Sequence, residues 1–173
     1  VEQVKWIEAV EFCERLSKLT GKDYRLPSES EWEYACRAGT TTPFYFGETI
    51  TPELVNYNGE YTYGDSLKGE FRKETIPVGQ FPPNAFGLYD MHGNVLEWCQ
   101  DVYHGNYNEA PTDGSVWEIE GDSHSNRRVC RGGSWYFYPR WCRSAYRYNF
   151  FSDGTGFYII GFRLVSFPPR TLE

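Results

Sequence analysis

Apolar positions recur at helical spacing once near the start of the chain. Across residues 4 to 20, Trp6, Ala9, Val10, Cys13 and Leu16 share one face with Glu and Lys between them, and Gly21 stands where a C-terminal cap belongs. This pattern predicts an amphipathic helix. After Tyr24-Arg25-Leu26, the run Ser28-Glu29-Ser30-Glu31 is a capping box: hydroxyl and carboxylate each satisfy a free amide of the first turn. A second, shorter helix is therefore predicted through Arg37, stopping at Gly39. Beyond Gly39 the helical period does not return. Pro, Gly, Asn, Asp and Tyr dominate residues 40 to 130 and apolar stretches are short, which predicts loop-rich structure with short strands. Long connections inside a compact domain need function, metal or side-chain networks to fix their backbone. Val129 to Ser134 and Ile160 to Phe167 read as strands. Tyr148 to Gly156 neither alternates nor runs aliphatic, and reads as a loop.

Composition narrows the class. No internal repeat, low-complexity tract or linker divides the 173 residues, so they read as one domain over 1–171, with Leu172-Glu173 set aside as a vector remnant. The net charge of −7 argues against a nucleic-acid partner. No run approaches the ~18 consecutive apolar residues of a membrane helix, and no signal-peptide pattern opens the chain. Five cysteines (Cys13, Cys36, Cys99, Cys130, Cys142) form no C-x-x-C pair, so at least one stays unpaired, and most are expected to be buried as small hydrophobes. The unusual feature is the aromatic content of 6 Trp, 14 Tyr and 12 Phe, which exceeds what a core of this size hides.

Four segments carry a family resemblance. They are Arg25-Leu26-Pro27-Ser28-Glu29-Ser30-Glu31-Trp32-Glu33-Tyr34-Ala35; residues 81–98, which include Gly87-Leu88-Tyr89-Asp90-Met91-His92-Gly93-Asn94-Val95-Leu96-Glu97-Trp98; Arg131-Gly132-Gly133-Ser134-Trp135; and Gly161-Phe162-Arg163-Leu164-Val165. Together they resemble the formylglycine-generating-enzyme family, also called sulfatase-modifying factors. The resemblance implies an α+β, C-type lectin fold: two helices against a small, irregular antiparallel sheet with long loops. Family members usually carry more strands and loops before the segment that begins at Val1, so the N-terminal part of the family domain is expected to be missing.

The family's enzymes hold copper with two cysteines shortly after the Gly-Gly-Ser strand. Here Trp135-Tyr136-Phe137-Tyr138-Pro139-Arg140-Trp141-Cys142 offers only Cys142, which aligns with neither ligand, whereas a cuprous ion wants at least two thiolates. Three-histidine iron sites of related members are no better matched by His92, His104 and His124. No copper or iron, and no catalysis, is expected. His92, in a glycine turn, reads as a solvated or hydrogen-bonded turn residue. Calcium needs only oxygen ligands, and Asp90 and Glu97, with Gly93 between them, offer two carboxylates. The resemblance places a structural calcium ion on Asp90 and Glu97 with the carbonyls of Gly93 and Val95. The competing reading is an ion network in which both carboxylates pair with Arg143, Arg147 or Arg163. A second family calcium site maps loosely onto Asn56 and Tyr57, with its acidic partner near Glu70 out of register.

Eleven aromatic residues crowd Trp135 to Ile159. One reading packs these rings into a loop-rich core. The other is a paratope, because Tyr and Trp give large contact area at little rotamer cost. The candidate ligand-binding residues are Tyr136, Phe137, Tyr138, Trp141, Tyr146, Tyr148, Asn149, Phe150, Phe151, Asp153, Phe157, Tyr158 and Ile159. In ordinary family members these gaps commonly hold asparagine. The arrangement resembles the variable proteins of diversity-generating retroelements, above all the treponemal surface lipoproteins, in which adenine-directed mutagenesis rewrites asparagine codons. Tyr, Phe, Ser, Asp, Gly, Thr and Ile are all reachable by changing adenines in AAC; Trp141 is not. The resemblance implies a non-enzymatic receptor for a protein or other macromolecule, at the cell surface and lipid-anchored through an upstream segment. The alternatives are a formylglycine-type oxidase and a carbohydrate-binding lectin.

Overall fold

The computed structural model describes residues 1–118, 126–154 and 158–167. Helix α1 spans Trp6–Thr20. The Lys5 N–H donates to the Glu8 carboxylate at 2.8 Å at its start, and Gly21, at φ +71°, closes it by donating its N–H to the Ser17 carbonyl. Trp6, Ala9 and Cys13 are the residues it buries. Helix α2 spans Glu29–Arg37, and its capping box forms as expected: the Glu31 N–H donates to Ser28 Oγ at 3.1 Å and the Ser28 N–H to Glu31 Oε2 at 2.8 Å. Asp101 reinforces that terminus from another element by accepting the Glu29 N–H at 2.8 Å, and burial pushes its carboxyl up to about 6.

Strand β1 (Asp23–Arg25) pairs antiparallel with β6 (Val165–Phe167) as a two-stranded ribbon. The main sheet has the order β4-β3-β2-β5, formed by Tyr148–Phe151, Arg127–Arg131, Leu96–Val102 and Ile160–Gly161. β2 is its axis, paired antiparallel to β3 and parallel to β5. The sheet is thus mixed rather than antiparallel throughout. β4 runs antiparallel to β3, so the chain leaving it must cross to the opposite edge and enters β5 alongside β2 in the same direction.

Three expected boundaries shift. The strand expected over Val129–Ser134 ends at Arg131, because Gly132 and Gly133 turn the backbone at φ +94° and +75°. The strand expected over Ile160–Phe167 divides into β5 and β6, which belong to different sheets. Tyr148–Phe151, expected as loop, is edge strand β4. Its side chains are half-buried or exposed rather than alternately hidden, so it carries no period-2 signal.

One core cluster gathers Trp6, Leu26, Phe44, Tyr57, Leu96, Trp98, Phe137 and Ile160 between α1, the sheet and the loops. A second, around Trp32, Cys36, Met91, Cys99 and Val129, seats α2 on the sheet. All five cysteines are buried and free, as small hydrophobes.

Candidate functional site

The C-terminal rings begin where the glycine turn ends. Ser134 accepts the Phe137 N–H, and a 3-10 turn over Pro139–Trp141 follows, with the Cys142 N–H bonded to the Pro139 carbonyl. This turn presents Tyr138 and Trp141 on one side. Tyr138 stacks on Trp141 at 4.7 Å between centroids, Trp141 on Tyr146 at 6.4 Å, Tyr146 lies 6.4 Å from Tyr148, and Tyr148 5.1 Å from Phe150. These five rings make a continuous ladder running from the turn into β4. A sixth joins from a distant loop: Tyr61, 44% exposed, lies 4.0 Å from Tyr138. Tyr61 is not among the expected residues, because its only signal in the sequence is a ring in a glycine-rich loop far from the segment it meets.

The remaining candidates divide. Tyr136 and Tyr158, each 58% exposed, flank buried Trp135, whose indole N–H donates to the Tyr158 carbonyl at 3.1 Å. Phe151 is 50% exposed beyond the far end of the ladder, with the Arg127 guanidinium 4.5 Å over its ring. Asn149 is half-buried and accepts from Arg127 at 2.7 Å, Asp153 is exposed, and Ile159 packs half-buried against the core while its carbonyl accepts the Leu96 N–H. Phe157 lies outside the described residues. One expectation is corrected: Phe137 is 6% exposed, a core residue wedged against Trp141 and Tyr148. A residue following the tight turn points inward, and this ring supports the ladder from below.

Buried ion pairs fix the platform. Arg131, inaccessible to solvent, pairs with Glu29 at 3.3 Å and with Glu33, and donates to the carbonyls of Ser144 (2.7 Å) and Tyr146 (3.1 Å). Arg147 forks onto Glu29 at 2.6 and 2.7 Å and lies 4.3 Å over Tyr107. Helix α2 thereby clamps the segment that carries Tyr146.

On the expected metal residues, Glu97 is held by Arg163 at 2.5 and 2.6 Å and accepts the Trp32 indole N–H at 2.7 Å. The ion-pair alternative therefore describes Glu97. Asp90, at φ +54°, instead accepts the Gly79 N–H at 2.7 Å, and burial pushes its carboxyl up. Asp90, Val95 and Glu97 line a cavity of about 340 Å³ with Arg163. Gly93 is buried, its N–H bonded to the Gly132 carbonyl. At the loosely matched second site, Glu70 pairs with Arg72, and the Asn56 amide donates to the Glu74 carbonyl. Among the described residues, no three His, Cys, Asp or Glu side chains gather as around a metal ion.

His92 is hydrogen-bonded but buried rather than solvated. The Tyr45 N–H donates to Nε2 at 3.1 Å, leaving Nδ1–H to donate to the Cys142 carbonyl at 2.7 Å, and burial lowers its pKa to about 4. Burial pushes the Cys36 and Cys142 thiols up to about 12. No helix among the described residues is long and apolar enough to cross a membrane.

The comparisons with known proteins agree with this architecture. The sulfatase-modifying factor enzyme 1-like domain matches residues 1–167. The chain is 33% identical to the formylglycine-generating enzyme of Mus musculus over 86% of its own length and 38% of the enzyme's, so it spans under two fifths of that relative. It is 34% identical to an inactive Cα-formylglycine-generating enzyme 2 of Bos taurus over 78% of this chain and 38% of that one. Among solved structures, PvdO of Pseudomonas aeruginosa superposes with a TM-score of 0.79 at 42% identity, covering 93% of this chain and 59% of that one. Treponema denticola variable protein 1 superposes at 0.71 and 26% identity, covering 95% and 69%. Both expected resemblances are borne out, as is the C-type lectin-like α+β fold. The chain belongs to the sulfatase-modifying factor family, in which proteins named as enzymes stand beside one named as inactive and a variable protein.

Proposed function

We propose that this chain is a non-enzymatic binding protein whose aromatic ladder is a diversified, ligand-contacting face at the cell surface. The observation that carries the reading is the ladder itself: Tyr61, Tyr138, Trp141, Tyr146, Tyr148 and Phe150 are in continuous ring contact, and none is fully buried. Large rings with polar tips, seated on buried ion pairs, give contact area without much entropy to lose on binding. The test is to sequence the genomic locus across a population. The expected result is variation restricted to template adenines in the codons for Tyr136 to Ile159, with Gly132-Gly133-Ser134, Arg140 and Arg143 fixed. An invariant locus would remove diversification from the reading. The identity to formylglycine-generating enzymes favours an oxidase as the second reading, and oxidation of a cysteine peptide by the purified chain would establish it.

A calcium ion at Asp90, Gly93, Val95 and Glu97 belongs to the same proposal as a structural element. It must compete with Arg163 for Glu97, because the guanidinium already engages both carboxylate oxygens. Calorimetric titration with calcium chloride is therefore expected to give tighter binding to Arg163→Ala than to the wild type. Absence of heat from both would remove the ion.

A further inference from the structure

The segment that carries the ladder differs in charge from the rest of the molecule. Residues 126–154 contain six arginines and one acid, Asp153, within a chain of net charge −7. Three of those arginines have structural partners: Arg131 and Arg147 are ion-paired to α2, and Arg128 lies 4.0 Å over Trp6 and donates to the Gln100 carbonyl. The other three have ring or hydrogen-bond contacts, Arg127 donating to Asn149 Oδ1 at 2.7 Å, but no acidic partner among the described residues. Among the described residues, ion pairs engage Arg15, Arg25, Arg37, Arg72, Arg131, Arg147 and Arg163, and not Arg127, Arg140 or Arg143.

Their cations sit at the ladder. The exposed Arg140 guanidinium lies 5.2 Å over Trp141 and 6.0 Å over Tyr138, and Arg143 donates its Nε–H to the Arg140 carbonyl at 2.9 Å. Exposed Arg127 stands over Phe151 beyond the far end. Stacking on a ring holds the exposed Arg140 guanidinium in place, the geometry that receives a carboxylate, while Arg127 keeps Nη1 bonded to Asn149 Oδ1 and offers the rest of its fork. Beside Arg140, the walls of Tyr61, Thr62, Tyr138 and Pro139 enclose a notch of about 220 Å³. On that side Glu60 adjoins Tyr61 in sequence.

We infer that the ladder receives an extended, acidic polypeptide segment, with an Asp or Glu carboxylate on Arg140, further acids near Arg143 and Arg127, and intervening apolar side chains on Tyr61, Tyr138 and Trp141. This rests on the ladder being a ligand-binding face and names the chemistry of its partner. At about 3.4 Å per residue, the ladder accommodates on the order of six extended residues. A nucleic acid or sulfated polysaccharide has the same sign, but its evenly spaced charges continue past the three arginines onto an acidic remainder. A short acidic stretch of protein ends where the patch ends.

The test is a selection of phage-displayed random linear dodecapeptides on the whole chain, with each binder re-measured on two folded variants, Tyr138→Ala/Trp141→Ala and Arg127→Glu/Arg140→Glu/Arg143→Glu. Binders lost on the aromatic variant are expected to be enriched in Asp and Glu. Their affinity is expected to fall at least about tenfold on the charge-reversed variant and to weaken with added salt, as charge-assisted hydrogen bonds at a solvent-exposed site do. Binders that depend on the rings but show no acidic enrichment, or ignore charge reversal, would overturn the inference and leave the binding face intact. A selection yielding no binder dependent on Tyr138 and Trp141 would overturn the binding face itself. Displacement of the acidic peptides by oligothymidylate or heparin at physiological salt would replace the polypeptide with a polyanion.

Discussion

Arg131→Met is expected to cost the fold about 3 kcal/mol or more, read by urea unfolding at neutral pH with an unchanged dependence on denaturant. Methionine fills most of the volume, so the loss is electrostatic rather than a cavity. The Arg131 guanidinium is inaccessible to solvent and serves four acceptors at once: the carboxylates of Glu29 and Glu33 and the carbonyls of Ser144 and Tyr146. Removing it takes the Arg131 donors from the Ser144 and Tyr146 carbonyls and one partner from each carboxylate. Glu29 keeps Arg147, and Glu33 keeps Arg37 at 2.8 Å, which holds the expected cost near the lower end of that for breaking a buried pair. Arg131→Lys retains the charge but not the fork and should fall between the two. A loss under about 1 kcal/mol for Arg131→Met would mean that the carboxylates find water, as exposed pairs do, and that α2 does not clamp the ladder's support.

That clamp also marks the limit of what the sequence discloses. Both helices are legible because their signals are local: the Ser28 and Glu31 capping box, the spacing of Trp6, Ala9 and Cys13, and the glycine after Thr20 all act within a few residues. The contact of Glu29 with Arg131 and Arg147 joins residues a hundred or more positions apart, and nothing at either end of the chain announces it. Nor does anything announce Tyr61 against Tyr138, 77 positions away. β4 escapes because an edge strand half-covered on both faces has no alternation to read. Phe137 escapes because a count of rings does not say which one the backbone turns inward. The family words located the candidate site; only the fold sorts its rings into supporting and presenting ones.

Gly133→Ala tests that sorting at the point where the turn meets the ladder, and its expected cost is about 2–5 kcal/mol, from left-handed backbone strain together with overpacking. A Cβ on Gly133 would stand 2.6 Å from Cys142 Sγ, 2.9 Å from Cys142 Cα and 2.9 Å from the Trp141 carbonyl oxygen, with φ at +75°. Two of those three neighbours are backbone and cannot rotate away. Gly87→Ala is the control, since Gly87 has the same sign of φ, at +77°, but open space where its Cβ would lie. It should pay only the conformational cost of about 1 kcal/mol. The difference between the two variants in urea unfolding isolates the clash. If Gly133 sets the position of Trp141, peptides that bind through Tyr138 and Trp141 should lose affinity for Gly133→Ala under conditions where it is fully folded, and keep it for Gly87→Ala. Equal stability losses in the two would mean that residues 141–142 shift to admit a methyl group. Unchanged binding would then show that the ladder tolerates that shift, and that its rings are held by one another rather than by the turn beneath them.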